Sequence, residues 1–173
     1  MSVQWFQTWF DTPLYEQLYA HRDESEARQL ARLIAAYFPP AVFLSVLDVA
    51  CGRGRHSFNL ARLGYQKILG MDLATNAITQ AKEKAEQQLP EIAARLRFLR
   101  HDMREPVEGQ FDLVVNLFTS FGYMPETHQD KEVLAHMLNA VAPSGAFVID
   151  FLNAPAVRAG LVPEEKMRIQ DYD

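Results

Sequence analysis

The stretch from Ser45 to Asp72 constrains the fold more than any other part of the chain. Val46-Leu47-Asp48-Val49-Ala50 is an apolar run with one carboxylate inside it, and Cys51-Gly52-Arg53-Gly54-Arg55-His56 is a glycine-rich turn. An amphipathic segment from His56 to Leu63 follows, and a second apolar run, Lys67 to Met71, ends on Asp72. Strand, glycine turn, helix, strand and terminal acid is the order of a ligand-binding βαβ unit. Gly52 and Gly54 read as positions where backbone approaches a ligand, because a Cβ there would collide with it.

Asp48 decides which ligand suits. A dinucleotide places its pyrophosphate over the first turn and the helix N-terminus, where the helix dipole favours anions. A carboxylate four residues before the first glycine opposes that ligand, and Ser57 stands where the third glycine of the dinucleotide fingerprint would be. A ligand with an ammonium and a sulfonium suits an acidic turn, and Asp72 can accept both hydroxyls of an adenosine ribose. S-adenosylmethionine meets both conditions. Here the run from Asp48 to Arg55 resembles the first motif of the class I S-adenosylmethionine-dependent methyltransferases. The resemblance implies a doubly wound, mainly parallel, Rossmann-like α/β fold. It also implies S-adenosylmethionine as cofactor, S-adenosylhomocysteine as product, and cofactor contacts from Asp48, Ala50, Cys51, Gly52, Gly54, Asp72 and Leu73.

Two later segments extend the site. Asp102 and Met103 follow a short predicted strand, Leu96 to Arg100; the acid can accept from an adenine amino group and the methionine can pack on its ring. Asn116 to Tyr123 follows the predicted strand Phe111 to Leu117, and the resemblance implies that Asn116 and Phe118 line the cofactor. Phe118 and Phe121 read equally as core. The wording Phe118-Thr119-Ser120-Phe121-Gly122-Tyr123 resembles bacterial methyltransferases, and it lacks the Asn/Asp-Pro-Pro-Tyr/Phe signature of enzymes that methylate nucleic-acid amino groups. Tyr123, His56 and His21 are candidate general bases. Cys51 reads as a small residue filling a tight turn. The five histidines form no metal-ligand spacing, so no metal is expected.

Upstream, Asp11 is the expected N-cap of a helix with Pro13 just inside it. The aromatics of residues 3–22 either pack on the domain or form a lid, with Tyr15 and Tyr19 as lid candidates and Arg22 facing the cofactor carboxylate. Aromatic faces attract a sulfonium as they do other cations. Asp23 or Ser25 caps a helix to about Phe38, ended by Pro39-Pro40. Residues 1–40 therefore read as a leading helical lid and 41–173 as the S-adenosylmethionine-binding α/β unit, one domain overall. Further along, Thr75 or Asn76 opens a helix through Leu89, stopped by Pro90. Gln129 to Val141 is a helix with Val133, Leu134, Met137, Leu138 and Val141 on its buried stripe; His128 and His136 read as surface. Ala142 to Gly145 turns into a fifth strand, Ala146 to Phe151.

A net charge of −5 offers no footprint for nucleic acid or an anionic membrane, which points to a small-molecule acceptor. The single cysteine, the lack of a signal-like N-terminus and the lack of an apolar run of ~20 residues point to the cytoplasm. After the fifth strand only Leu152 to Asp173 remain, with Met167 to Tyr172 as one more strand, so the resemblance implies a chain cut short of the family's last antiparallel strands. The sheet edge left uncovered would pair with a second copy, giving a homodimer. Two other readings stand beside this one. An NAD-dependent oxidoreductase on the same fold would place no demand on Asp48. A non-catalytic methyltransferase-like module would bind without turnover.

Overall fold

β1 (Ser45–Val49) lies at the centre of a sheet of five parallel strands in the order β3-β2-β1-β4-β5. The others are β2 (Lys67–Asp72), β3 (Leu96–Arg100), β4 (Phe111–Asn116) and β5 (Val141–Ile149). Val46 pairs with Ile68 on one side and with Leu113 on the other. The computed structural model describes residues 4–18 and 24–162. Thus His21, Arg22, Tyr19, Asp23 and the expected strand Met167 to Tyr172 lie outside the described residues.

Alternation along β1 sends Val46 and Asp48 to one face and Leu47 and Val49 to the other. The first face is covered by α3 (Glu24–Tyr37), α4 (Arg55–Leu63) and α5 (Thr75–Glu86), with Ala31, Ile34, Phe58, Leu60 and Ile78 in one apolar cluster with Val46. The second is covered by α7 (Thr127–Asn139), whose Val133 and Met137 pack on Leu47, Val49 and Val114. Phe6 of the short α1 (Phe6–Trp9) joins that second cluster. Helices on both faces explain why β1 is apolar at nearly every position.

Several expected boundaries shift for identifiable reasons. The N-cap of α2 (Pro13–Leu18) is Thr12, whose Oγ1 accepts from the Tyr15 N–H at 3.2 Å. Asp11 caps α5 instead, accepting from the Asn76 N–H at 2.9 Å, a contact across 65 positions that local reading cannot see. Ser25 lies inside α3, not at its cap. α5 ends at Glu86 instead of Leu89, and Pro90 opens a new turn, α6 (Pro90–Ala93), since proline's missing N–H costs nothing at a first helical position. α7 begins at Thr127 because Glu126 and Gln129 form a capping box. Leu138 on α7 is 48% exposed, so it leaves the expected buried stripe. His128 is exposed but His136 is half-buried.

The turn expected at Ala142 to Gly145 falls within the bounds of β5. It appears as a register break, with Phe111 opposite Val141 and Leu113 opposite Ala146. Asp112 sits at that break. Its Oδ2 accepts from the Leu44 and Ser45 N–H groups at 3.0 and 2.8 Å, which pins the start of β1 to the start of β4.

Candidate functional site

A cavity of about 430 Å³ opens at the carboxyl ends of the strands, where the chain order switches between β1 and β4. That is the position where open α/β sheets bind ligands. Its floor is the turn after β1, one side is the Asp72–Ala74 segment and His101 to Met103, and the other is Leu117, Phe118 and Ser120. Phe6, Phe10 and Tyr15 of the N-terminal segment form part of the wall with Tyr123. The ring of Phe10 lies 5.0 Å from Tyr15 and 5.1 Å from Tyr123, so the wall is one aromatic cluster.

Three carboxyls line this cavity, and two of them, Asp48 and Asp72, flank the glycine turn. Asp48 is 1% exposed and accepts a 2.6 Å hydrogen bond from Ser57 Oγ in the first turn of α4. Burial pushes its carboxyl up to about 7; the Ser57 bond opposes the rise and the Asp72 charge adds to it. Asp72 is oriented by backbone, with Oδ2 accepting from the Gly52 N–H and Oδ1 from the Ala74 N–H, each at 2.8 Å. Burial also raises Asp72, against those backbone donors. Each Asp72 oxygen keeps a second lone pair for a further donor. Sequence reasoning missed Ser57 as a partner. The usable signal was its place one turn into a helix that packs on the face carrying Asp48.

The two glycines of the turn differ. Gly52 adopts φ +54° and a Cβ there would meet nothing within 4 Å, so its outer face is open to the cavity. Gly54 adopts φ +74°, and a Cβ there would stand 2.6 Å from the ring of Phe98. Gly54 does not line the cavity. The close approach that its missing side chain permits is that of a core ring on β3. Ala50 adopts φ +56°, a left-handed conformation that costs an alanine on the order of 1–2 kcal/mol. Cys51 is buried, and burial pushes its thiol well up, helped by the nearby charges of Asp48 and Asp72, so it is no nucleophile.

The turn after β4 is strained in the same sense without any glycine at the bend. Phe118 and Thr119 adopt φ +63° and +60°. Phe118 lines the cavity, and the Arg55 guanidinium stands 5.1 Å from its ring centroid. Asn116 does not line it. It is fully buried, and its Nδ2 donates to the carbonyls of Val49 and Ser120 at 3.1 and 3.3 Å, so it ties the two turns together from behind. Both Nδ2 hydrogens are thus committed to carbonyls in place of the expected ligand contact, while the buried Oδ1 has no hydrogen-bond partner among the described residues.

Tyr123 reaches the wall, but its hydroxyl donates to the Thr119 carbonyl at 2.6 Å. His56 is 7% exposed; burial, then the Arg55 charge, lowers it to about 4 despite Glu24, so its imidazole is neutral at pH 7. Asp102 and Met103 both line the cavity. Asp102 is clamped by Arg104, whose Nε lies 3.0 Å from each carboxylate oxygen. Burial works to raise this carboxyl, and the bonds from Arg104 outweigh it and hold it below its usual value. Leu73 and Ala50 line the cavity beside Asp72 and Cys51. Among the described residues, no set of three His, Cys, Asp or Glu side chains is placed to hold a metal ion, and no helix is long and apolar enough to cross a membrane.

Comparison with known proteins agrees with this geometry. A family model described as a methyltransferase domain matches residues 46–145. YqeM of Bacillus subtilis (strain 168), named as a methyltransferase, is 28% identical over 162 residues, 92% of this chain and 61% of its own length. The dTDP-4-amino-2,3,4,6-tetradeoxy-D-glucose N,N-dimethyltransferase of Saccharopolyspora spinosa is 29% identical over 141 residues, 79% of this chain and 52% of its own. Among solved structures, S-adenosylmethionine-bound CalS10, an amino pentose methyltransferase from Micromonospora echinaspora, superposes with a TM-score of 0.64. It is 28% identical, covering 82% of this chain and 57% of that one. The chain thus spans between half and two thirds of the length of these relatives.

Proposed function

This chain belongs to the class I S-adenosylmethionine-dependent methyltransferases, and on that premise we propose that its cavity binds S-adenosylmethionine for methyl transfer to a small-molecule acceptor. One observation carries the reading: two carboxyls from adjacent strand ends flank a glycine turn whose outer face is open. A buried carboxyl without a cation is costly, and a cationic ligand removes that cost. These residues fit the cofactor. Asp48 faces its ammonium, Asp72 accepts from its ribose, and Asp102 with Met103 frames the adenine. Ala50, Cys51, Gly52 and Leu73 supply the floor. Phe118 and the cluster of Phe6, Phe10, Tyr15 and Tyr123 face the sulfonium end, where ring faces favour positive charge.

When bound, S-adenosylmethionine supplies an electrophilic methyl group that a nucleophile displaces in line. The protein's own part is to hold the acceptor opposite the sulfur in a pocket with little water. Of the candidate bases among the described residues, His56 and Tyr123, neither is placed as a strong base. His56 is held neutral with a weakly basic ring, and the Tyr123 hydroxyl is committed to a carbonyl. An amine acceptor suits such a site, because a neutral amine attacks without prior proton removal. The relative from Saccharopolyspora spinosa is named for an amino sugar, which supports the same class.

The finer assignments complete the reading. Phe6, Phe10 and Tyr15 act as the lid, α3 belongs to the layer covering the sheet, and the strand ends from β1 onward hold the cofactor, in the cytoplasm, with no part for nucleic acid. Two copies pair through the β5 edge, where Ile149, Phe151 and Leu152 are exposed. Isothermal titration with S-adenosylmethionine, S-adenosylhomocysteine and NAD tests the central claim. Micromolar binding of the first two and none of NAD is expected. Tight NAD binding would transfer the chain to the oxidoreductase reading, and silence from all three would overturn cofactor binding by this chain.

A further inference from the structure

Left-handed backbone at two consecutive non-glycine residues needs an external support. At Phe118 and Thr119 both backbone N–H groups are held by Asp150, which directly follows β5. Asp150 Oδ2 accepts from the Phe118 N–H at 3.0 Å, and the Asp150 carbonyl accepts from the Thr119 N–H at 3.1 Å. Asp150 in turn donates its own N–H to the Asn116 carbonyl at 2.9 Å, which extends the β4–β5 ladder by one step. Both strained peptides are therefore gripped by a residue 32 positions away. The conformation matters to the cavity because it turns the Phe118 ring into the wall under Arg55.

We propose that Asp150 is a positioning residue of this site: it holds the left-handed Phe118–Thr119 turn so that the Phe118 ring stays in the wall facing the cofactor. The proposal rests on the methyltransferase reading for what the ring faces. It assigns the far end of β5 a part in the site, although Asp150 itself does not line the cavity. The hydrogen bond, and not the charge, does the holding, so an asparagine oxygen can substitute.

Titration with S-adenosylmethionine on the wild type, Asp150→Ala, Asp150→Asn and the Asp150→Ala/Thr119→Gly double variant tests this, with amide hydrogen exchange of residues 117–123 in the free protein alongside. Thr119 is outside the cavity lining, and glycine there adopts the left-handed turn without support. Asp150→Ala is expected to weaken binding about tenfold or more, the scale on which a displaced site wall acts, and to speed exchange at Phe118 and Thr119. Asp150→Asn should stay within about threefold of wild type, and the double variant should recover most of the loss. Unchanged affinity and exchange in Asp150→Ala would overturn the proposal, as would an Asp150→Asn variant as weak as alanine or a double variant with no recovery. A wild type that binds no S-adenosylmethionine would sink the methyltransferase reading instead, and the exchange data would still decide whether Asp150 holds the turn.

Discussion

Two turns at the same end of the sheet bend the backbone the same way by opposite means. After β1, left-handed φ at Gly52 and Gly54 is built into the residues themselves. After β4, Phe118 and Thr119 are forced into that region by bonds to Asp150 and, through the Thr119 carbonyl, to Tyr123. Glycines carry most of the first turn, with Ala50 left-handed before them and Asp72 holding the Gly52 N–H, whereas the second has no glycine at its bend and rests on distant partners. The first can therefore be recognised in the sequence, whereas the second needs the fold.

Breaking the first turn should give the largest effect, and the two glycines should break differently. Gly54→Ala drives a Cβ to 2.6 Å from Phe98, so overpacking and left-handed strain together should cost roughly 2–5 kcal/mol of stability in denaturant unfolding. Gly52→Ala meets no neighbour, and only the strain of roughly 1–2 kcal/mol is expected. Equal losses at the two positions would remove the division between a core glycine and a cavity glycine.

Asp48 provides the next test. Burial holds its carboxyl at about 7 in the folded protein, above the ordinary 3.8, so its contribution is fully present below pH 3.8, declines as pH rises from 3.8 towards 7 and is lost above 7. Asp48→Asn should therefore stabilise the free protein at pH 8, with ~4 kcal/mol as the ceiling set by that rise. The same variant should weaken S-adenosylmethionine binding by an order of magnitude or more. For the wild type, cation binding favours the ionised carboxyl, so affinity should fall as pH drops from 8 to 6 and binding near pH 7 should release protons. Calorimetry in buffers of different ionisation enthalpy measures that release. A pH-independent affinity with no proton release would remove Asp48 from the ammonium contact.

The smallest effect is expected from making the second turn resemble the first. Thr119→Gly relieves strain of roughly 1–2 kcal/mol but loosens the unfolded chain by roughly 0.4–1 kcal/mol, leaving a gain of up to ~1.6 kcal/mol. A clear loss of stability would mean that Asp150 bears no strain at that position.

The same division explains what was legible in the chain. The order of strands and helices could be read because apolar runs and punctuation by Gly and Pro are local. Asp48 and Asp72 could be read because the first interrupts one apolar run and the second ends the next, at a spacing a βαβ unit requires. Ser57 as partner of Asp48, Arg104 as partner of Asp102 and Asp150 as partner of the Phe118 N–H were harder to read, because each meaning depends on a neighbour that folding supplies. Asn116 misled for the same reason. Its position at a strand end is that of a ligand contact, yet the fold spends both its donors on carbonyls of the neighbouring turns. Gly54 misled in a subtler way, since an empty side chain signals close approach without saying by what.

The Phe98 ring sits in a slot shaped by two missing side chains, because a Cβ at Gly70 would lie 2.7 Å from the same ring that crowds Gly54. One position is in the ligand turn, one in the next strand and one at the sheet's outer edge, so three distant stretches of chain share a single volume. Descent with modification must then move them as a set: a larger residue at 54 or 70 is tolerated only beside a smaller one at 98. Among diverged copies of this chain, those three columns should vary together or not at all.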